Sequence, residues 1–193
     1  MSFAVVKVGG GLTKVPGALD QVCSVLAEVS RSHALVIVPG GGPFADAVRE
    51  FGRGTELSTD AAHWMAILAM DQYAQVLVER IPGAVLVEEP DSIGKVLTEG
   101  HVAVLAPARW MRAADALPHS WDVTSDSIAA FITGALGAER LVLIKPTGHG
   151  SRLDSYFQRA LPAGMPYAIF SCDGLEELPA CLSGQTAAGV PLA

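Results

Sequence analysis

The chain has 193 residues, half of them hydrophobic, and a formal net charge of −7 at neutral pH. This length can enclose a sizeable core, so we expect a single domain over residues 1–193. The 13 basic residues are scattered along an acidic chain, which argues against a nucleic-acid partner. No apolar run approaches the roughly 18 residues of a membrane span, and no basic region precedes the first apolar segment. We therefore expect a cytoplasmic protein without a membrane anchor.

The cysteines and histidines lack the spacings of a metal site. The five histidines form no HxxxH or HExxH motif, and the three cysteines form no CxxC motif. An odd number of cysteines is also a poor match for a disulfide framework. We expect reduced thiols in the core at Cys23, Cys172 and Cys181 and no metal held by protein ligands.

Two short apolar segments, residues 3–8 and 34–38, are rich in β-branched side chains and predict buried strands. Each segment runs into three consecutive glycines, at residues 9–11 and 40–42, and a helix is predicted after each, at about 16–30 and 43–51. Strand, glycine turn and helix in succession indicate a parallel sheet whose turns gather at its carboxyl edge. We predict an α/β fold, a three-layer α/β/α sandwich with a mostly parallel central sheet.

Residues 59–79 predict a long helix that is apolar on most of its sides. Such a helix needs two packing partners, and the second is interpreted as another subunit, giving a homodimer or a higher homo-oligomer. The remaining predicted strands are 84–87, 102–105, 141–145 and 167–170, with an edge strand in the tail at 189–193. The remaining predicted helices are 92–97, one turn within 108–116, 124–136, 154–161 and 175–182.

The helix at 124–136 carries a carboxylate, Asp126, in its first turn, where the helix dipole favours a negative charge. Thr124 or Ser125 is the candidate N-cap, and Gly137 ends the helix in a left-handed conformation. Its predicted inner face is Ile128, Phe131, Ile132, Ala135 and Leu136. On this pattern alone, Asp126 either stabilises the helix terminus or serves a site.

The glycine turns suit a phosphate, because no side chain blocks the backbone and the N–H groups of the next helix point at a ligand. The alternative is that they simply connect strands to helices. Lys7 lies within an apolar strand, where a charge must be paired or face a ligand. The P-loop motif GxxxxGK[ST] is absent. Residues 40–45 match the dinucleotide fingerprint GxGxxA, but Asp60 opens a predicted helix where that motif needs an acid ending a strand.

Three motifs together resemble the amino acid kinase superfamily, which includes acetylglutamate, carbamate, uridylate and isopentenyl phosphate kinases. They are KVGGG at residues 7–11, VPGGG at 38–42 and TSDSIAA at 124–130. Within the superfamily, residues 39–50 and 121–145 are most similar to the small kinases of methanofuran synthesis and their relatives in one-carbon metabolism of methylotrophs. Those enzymes phosphorylate an (aminomethyl-furanyl)methyl phosphate.

The resemblance implies that Lys7 bridges the donor and acceptor phosphates while Asp126 holds it in place. It implies that the turn at 9–11 binds the transferring phosphoryl group and the turn at 40–42 binds the acceptor. By implied role, the site residues are Lys7 and Asp126 (catalytic), Gly9, Gly10, Gly11, Gly40, Gly41 and Gly42 (phosphate), Thr124 and Ser125 (acceptor), and Lys145, Thr147, Gly148 and Gly150 (nucleotide). Asp46 is a candidate partner for a substrate ammonium, or else part of a solvated helix face.

The sequence departs from the family after the strand that ends at Lys145. KPTGHGSRLD stands at residues 145–154 in place of a TDVDG-like turn, and the nucleotide half, about 138–193, is short. Lys145 either supplies a second cation to the nucleotide or is a substitution that weakens nucleotide binding.

The expected activity is transfer of a phosphoryl group from ATP, with Mg²⁺, to a small phosphorylated acceptor, such as the furan compound above. One alternative is a catalytically silent subunit or ligand-binding module. Another is a kinase of the uridylate or isopentenyl phosphate type.

Overall fold

The structure is a computed structural model that describes residues 2–148 and 152–185. Within these residues all strands belong to one six-stranded, fully parallel sheet. The strands are β1 (Ala4–Val8), β2 (Leu35–Pro39), β3 (Ala84–Val87), β4 (Val102–Leu105), β5 (Arg140–Lys145) and β6 (Tyr167–Ser171). Their order is β3-β4-β2-β1-β5-β6, so the predicted parallel α/β sheet is confirmed.

The helices connect these strands and cover both faces of the sheet. They are α1 (Ala18–Val29), α2 (Gly42–Gly54), α3 (Thr59–Arg80), α4 (Pro90–Thr98), α5 (Ala108–Ala114), α6 (Ser125–Ala135), α7 (Phe157–Ala160) and α8 (Leu178–Leu182), with a 3₁₀ helix at Gly10–Lys14. None of the helices within the described residues is long and apolar enough to cross a membrane.

The sheet lies between two hydrophobic cores because successive strand residues point to opposite faces. Val6 and Val8 of β1 pack in the core that contains α1 and α8, whereas Val5 packs in the core that contains α4, α5, α6 and α7. The long helix α3 contributes Tyr73 and Leu77 to the first core and Ile67 and Met70 to the second. By the same alternation, Lys7 is placed on the α6 face, as its ion pair with Asp126 shows.

The strand register brings three turns to one edge of the sheet. Val8 of β1 is paired with Pro39 of β2 and with Ile144 of β5, so residues 9–11, 40–42 and 146–148 follow neighbouring strand ends. The chain leaves β1 towards β2 on one side and β5 towards β6 on the other, which makes the β1–β5 boundary a topological switch point. Open α/β sheets bind ligands in the crevice at this position.

Several helix boundaries differ from the predicted ones. The first helix begins at Ala18 and not at Pro16, because Gly17 adopts a left-handed conformation with φ 75° and interrupts the turn. The predicted helix at 154–161 is reduced to Phe157–Ala160, since Asp154 is engaged in long-range hydrogen bonds that precede it. The predicted helix at 175–182 begins only at Leu178.

Helix α6 begins and ends close to its predicted bounds, with Thr124 as the N-cap and Gly137 at φ 65°. Ala135, predicted on its inner face, is exposed, because the buried surface rotates towards the small residues Ala129, Ala130 and Thr133. The three cysteines are buried free thiols, as predicted. The edge strand predicted at 189–193 falls outside the described residues.

Candidate active site

A buried carboxylate with two lysines forms the centre of the site. Lys7 Nζ of β1 lies 2.8 Å from Asp126 Oδ1, and Lys145 Nζ of β5 donates a 2.6 Å hydrogen bond to Asp126 Oδ2. The side chains of Lys7, Asp126 and Lys145 are 7%, 7% and 11% exposed. Lys7 and Lys145 stand on adjacent strands, and α6 presents Asp126 between them. We call these three residues the Lys–Asp–Lys cluster.

The charges of the cluster are strongly coupled. Burial alone would raise the pKa of Asp126, but the ammonium groups of Lys7 and Lys145 outweigh it and hold that pKa below its ordinary value. Burial lowers the pKa of Lys145, and the neighbouring Lys7 adds to the effect, against the attraction of Asp126. One carboxylate shared by two cations leaves a net positive charge, which suits a site for anions.

Asp154 fixes the beginning of α6 and hence the position of Asp126. Its Oδ2 accepts hydrogen bonds from the backbone N–H of Thr124 (2.9 Å), the Thr124 hydroxyl (2.7 Å) and the backbone N–H of Ser127 (3.0 Å). Its Oδ1 accepts a hydrogen bond from the Ser127 hydroxyl. These bonds satisfy helix N–H groups that have no partner within α6 and place a negative charge at its positive end.

The two glycine turns touch each other. A Cβ on Gly10 would collide with the backbone of Gly42, and Gly42 itself has φ 56°, which favours glycine. Two of the glycines use their amides within the protein: Gly9 N–H donates to Ile144 O (2.9 Å) and Gly40 N–H donates to Val8 O (2.8 Å). Of the six predicted phosphate-binding glycines, Gly9 and Gly40 therefore have their N–H groups occupied by carbonyl groups at the strand ends.

A cavity of about 250 Å³ opens beside the glycine turns. Its polar part contains Lys7, Gly10, Gly11, Lys14, Gly41, Gly42, Asp46, Arg49, Thr59, His63, Ser120, Thr124 and Ser125. Its apolar part contains Ala45, Ala66, Ile67, Met70, Trp121, Val123 and Ile128. The structure therefore brings together most of the predicted acceptor and phosphate residues, which come from β1, the 3₁₀ helix, the beginning of α2 and the beginning of α6.

Asp46 lines the cavity but is already neutralised by protein cations. Lys14 Nζ lies 2.7 Å from its Oδ2, and Arg49 Nη1 donates a 3.1 Å hydrogen bond to its Oδ1. The Lys14 hydrogen bond is the main reason that the pKa of Asp46 is below its ordinary value. The guanidinium of Arg49 also lies 4.7 Å from the ring centroid of Trp121. Neither sequence interpretation of Asp46 describes this arrangement, in which the carboxylate orients two cations at the cavity wall.

The predicted nucleotide residues lie apart from this cavity, on the β5 side. Lys145 Nζ donates a second hydrogen bond, of 2.6 Å, to the Arg152 carbonyl. The Thr147 hydroxyl is 3.4 Å from Cys172 Sγ, and Gly148 has φ 78°. Gly150 falls outside the described residues. The structure places the Lys145 ammonium against Asp126, and both sequence interpretations of its role towards a nucleotide stay predictions.

The structure brings further side chains to the site that the sequence did not point to, among them Lys14, Arg49, His63 and Asp154. Lys14 and Arg49 line the cavity, and Arg49 had a readable signal, because it lies three residues after Asp46 on the same helix. Asp154 had no comparable signal, since its partners lie 27 and 30 residues earlier in the chain. Only the folded chain reveals that connection.

The chain belongs to the amino acid kinase family, whose family model matches residues 2–147. The matched region contains the Lys–Asp–Lys cluster, both glycine turns and all residues that line the cavity.

A relative with a named activity is [5-(aminomethyl)furan-3-yl]methyl phosphate kinase from Methanocaldococcus jannaschii, 29% identical over 139 residues. The alignment covers 72% of this chain and 63% of the relative, so the chain spans less than two thirds of that protein. Among solved structures, UMP kinase from Bacillus anthracis gives a TM-score of 0.71 at 13% identity, over 95% of this chain and 92% of that chain. Uridylate kinase from Archaeoglobus fulgidus gives 0.67 at 13% identity, over 96% and 97%. These structures support the fold.

Proposed function

We propose that this protein is a kinase that transfers the γ-phosphoryl group of ATP to a small acceptor that already carries a phosphate. The observation that carries the proposal is the Lys–Asp–Lys cluster at the junction of the two glycine turns. Phosphoryl transfer depends mainly on alignment and on neutralising the oxygens of the transferring group, and two cations on one buried carboxylate supply that charge.

In the proposed reaction an oxygen of the acceptor phosphate attacks the γ-phosphorus. The new P–O bond forms as the bond between the γ-phosphorus and the bridging oxygen breaks, and ADP leaves with the electron pair. Lys7 lines the acceptor cavity and Lys145 lies on the nucleotide side, so the two ammonium groups flank the path of transfer. An acceptor phosphate is already ionised at neutral pH, and so no protein base is required.

We propose that nucleotide phosphates meet Lys145, Thr147, Gly148 and Gly150 beyond the end of β5. No cluster of three or more His, Cys, Asp or Glu side chains suited to a metal exists within residues 2–148 and 152–185. The nearby carboxylates Asp46, Asp126 and Asp154 are all engaged with cations or helix N–H groups. Mg²⁺ therefore fits this site as an ion carried by the nucleotide phosphates, where it would shield their negative charge.

The finer proposal concerns the acceptor. The cavity joins an anion-binding end, at Lys7 and the glycine turns, to an apolar wall of Ile67, Met70 and Ile128. A phosphate on a small, largely apolar body matches this division, and [5-(aminomethyl)furan-3-yl]methyl phosphate has that form. The test is phosphoryl transfer from Mg-ATP to this compound, uridylate and isopentenyl phosphate in parallel. Turnover of uridylate alone would exclude the furan acceptor.

The altered turn after Lys145 favours one competing function, a ligand-binding subunit without catalysis. Residues 145–153 contain no aspartate, in contrast to the TDVDG-like turn that the resemblance implies. Calorimetric titration with Mg-ATP separates the two functions. Absence of heat at millimolar nucleotide, with acceptor binding retained, would support the silent subunit and exclude the kinase.

We also propose a homodimer through the outer face of α3. Leu68 is 48% exposed, and Met65, one turn earlier, is only partly buried, so an apolar strip on this helix has no partner within the described residues. Light scattering should give the mass of two chains, and Leu68→Glu should reduce it to that of one. A monomeric wild-type protein would exclude the dimer.

A further inference from the structure

His63 occupies an unusual position in the wall of the acceptor cavity. It is buried in the first half of α3, with 8% of its surface exposed, and it lines the cavity. Neither ring nitrogen makes a hydrogen bond with a described residue; its partners there are aromatic rings. The residue lines the cavity, so its ring nitrogens have no partner within the described residues to give up when a ligand binds there. A donor on a bound ligand can therefore take the place of solvent at His63.

A second histidine fixes the ring of His63 from behind. The rings of His63 and His119 are stacked, with centroids 4.3 Å apart and planes 19° apart. His119 is held at both nitrogens, by Asp60 through Nδ1 and by Asp115 through Nε2, each at 2.8 Å. The Trp64 ring packs edge-on against both imidazoles. The orientation of His63 is therefore set by its neighbours before any ligand arrives.

The charges of this group favour a neutral His63. Hydrogen bonds to Asp60 and then to Asp115 raise the pKa of His119, which favours its charged form. Burial, and secondly the charge of His119, lowers the pKa of His63 against the attraction of the same two carboxylates. A neutral imidazole has one nitrogen that accepts a hydrogen bond. Asp60 and Asp115 thus place two carboxylates behind the stacked imidazoles, and Arg112 lies 4.7 Å from the ring centroid of Trp64 beside them.

The other acidic groups of the site are not available to a ligand cation. Asp46 is paired with Lys14 and Arg49, and Asp126 is paired with Lys7 and Lys145. We propose that His63 is a specificity-determining residue that accepts a hydrogen bond from an ammonium group of the acceptor. The inference rests on the proposed function, and it assigns the two ends of the acceptor: phosphate at the glycine turns and ammonium at α3.

The test compares two ligands on the full-length protein. One is [5-(aminomethyl)furan-3-yl]methyl phosphate, and the other is its analogue with a methyl group in place of the aminomethyl group. Binding of each is measured by calorimetry without nucleotide, and transfer is measured with Mg-ATP. The variants are His63→Leu, which removes the ring nitrogens, and His63→Gln, which keeps an oxygen acceptor. His101→Gln, at an exposed position before β4, is the matched control.

We expect wild type and the His101 variant to bind the amine at least tenfold more tightly than the methyl analogue. His63→Leu should abolish that preference and leave affinity for the methyl analogue within threefold, whereas His63→Gln should keep part of it. In turnover by His63→Leu, KM for the aminomethyl acceptor should rise, whereas KM for ATP should stay unchanged. If His63→Leu does not fold, His63→Phe, which keeps an aromatic ring without nitrogen atoms, takes its place with the same expected result.

Equal affinity of the wild-type protein for the two ligands, or an amine preference that survives in both His63 variants, would overturn the proposal. The proposed function can fail separately: a preference that depends on His63 without any phosphoryl transfer would support the assignment of His63 and reject the kinase.

Discussion

The two sides of Asp126 are built very differently. On the proposed acceptor side, α2, α3 and α6 are 13, 22 and 11 residues long, and they surround a cavity together with both glycine turns. On the proposed nucleotide side, α7 and α8 have four and five residues. The acceptor side can therefore fix its side chains by helix packing, whereas the nucleotide side must fix them through individual polar contacts.

Three such contacts connect the nucleotide side to the centre of the site. Lys145 bonds to Asp126 and to the Arg152 carbonyl, and Asp154 bonds to the first turn of α6. From this difference we expect a substitution in the wall of the acceptor cavity to change KM for the acceptor alone. A substitution in the connecting contacts should change KM for both substrates.

The largest effect is expected from Lys7→Ala, which removes the cation that lines the acceptor cavity. Asp126 remains paired with Lys145, so the fold should survive while kcat falls by about 10²- to 10³-fold, as expected when one donor that stabilises a transition state is removed. Steady-state transfer and circular dichroism measure the two parts. Lys95→Ala, at an exposed lysine of α4, is the control for loss of charge. A Lys7 variant with near-normal kcat would remove Lys7 from the mechanism.

Asp126→Asn tests whether the two sides share one electrostatic centre. The substitution leaves Lys7 and Lys145 buried together without a counter-charge, so unfolding free energy should fall by about 3 kcal/mol in urea titration. The pKa of Asp126 is lowered in the folded protein from its ordinary value of 3.8. The ionised carboxylate therefore stabilises the folded state fully above about pH 3.8, and this contribution is lost as pH falls through the folded-state pKa. The wild-type protein should thus lose stability in acid more steeply than the variant. Parallel acid profiles would contradict this.

The sequence predicted the fold correctly where the spacing of apolar residues and the positions of the glycines indicated one kind of element. Both apolar runs that end in glycine triplets became central parallel strands, because a continuous apolar segment can be buried on both faces only in the middle of a sheet. The short helices after β5 were mispredicted in their bounds. Their beginnings are decided by long-range contacts such as those of Asp154, which local patterns do not encode.

The site was only partly readable from the sequence. The position of Lys7 in an apolar strand and of Asp126 in a helix terminus each required a partner, and each is the other's partner in the structure. Asp46 differs, because an acid on a helix face looks the same in sequence whether it meets solvent, a ligand or Lys14 and Arg49. His63 carried no signal for a similar reason, because the cavity wall to which it belongs is formed by several separate elements.

Asp154→Asn should weaken the connection between the two sides by a smaller amount. An amide group cannot accept all the hydrogen bonds that the carboxylate receives from Thr124 and Ser127, so Asp126 loses its fixed position. We expect kcat to fall by about 10- to 100-fold and KM for both substrates to rise. Asp122→Asn is a matched control, since Asp122 bonds to Ser155 in the same segment without touching α6 N–H groups. A change in KM for one substrate alone would show that Asp154 does not connect the sides.

The smallest effect is expected from His119, at the outer end of the acceptor side. Hydrogen bonds with Asp60 and Asp115 raise the pKa of His119 from its ordinary value of 6.5. The contribution of protonated His119 to the stability of the fold is therefore complete below about pH 6.5 and is lost as pH rises through the folded-state pKa. His63 acts in the opposite direction, because its lowered pKa costs stability as pH falls below 6.5. The difference in urea midpoint between wild type and His119→Gln should therefore shrink from pH 6 to pH 8.5. A difference that stays constant over this interval would mean that the contacts of His119 with Asp60 and Asp115 do not depend on its charge.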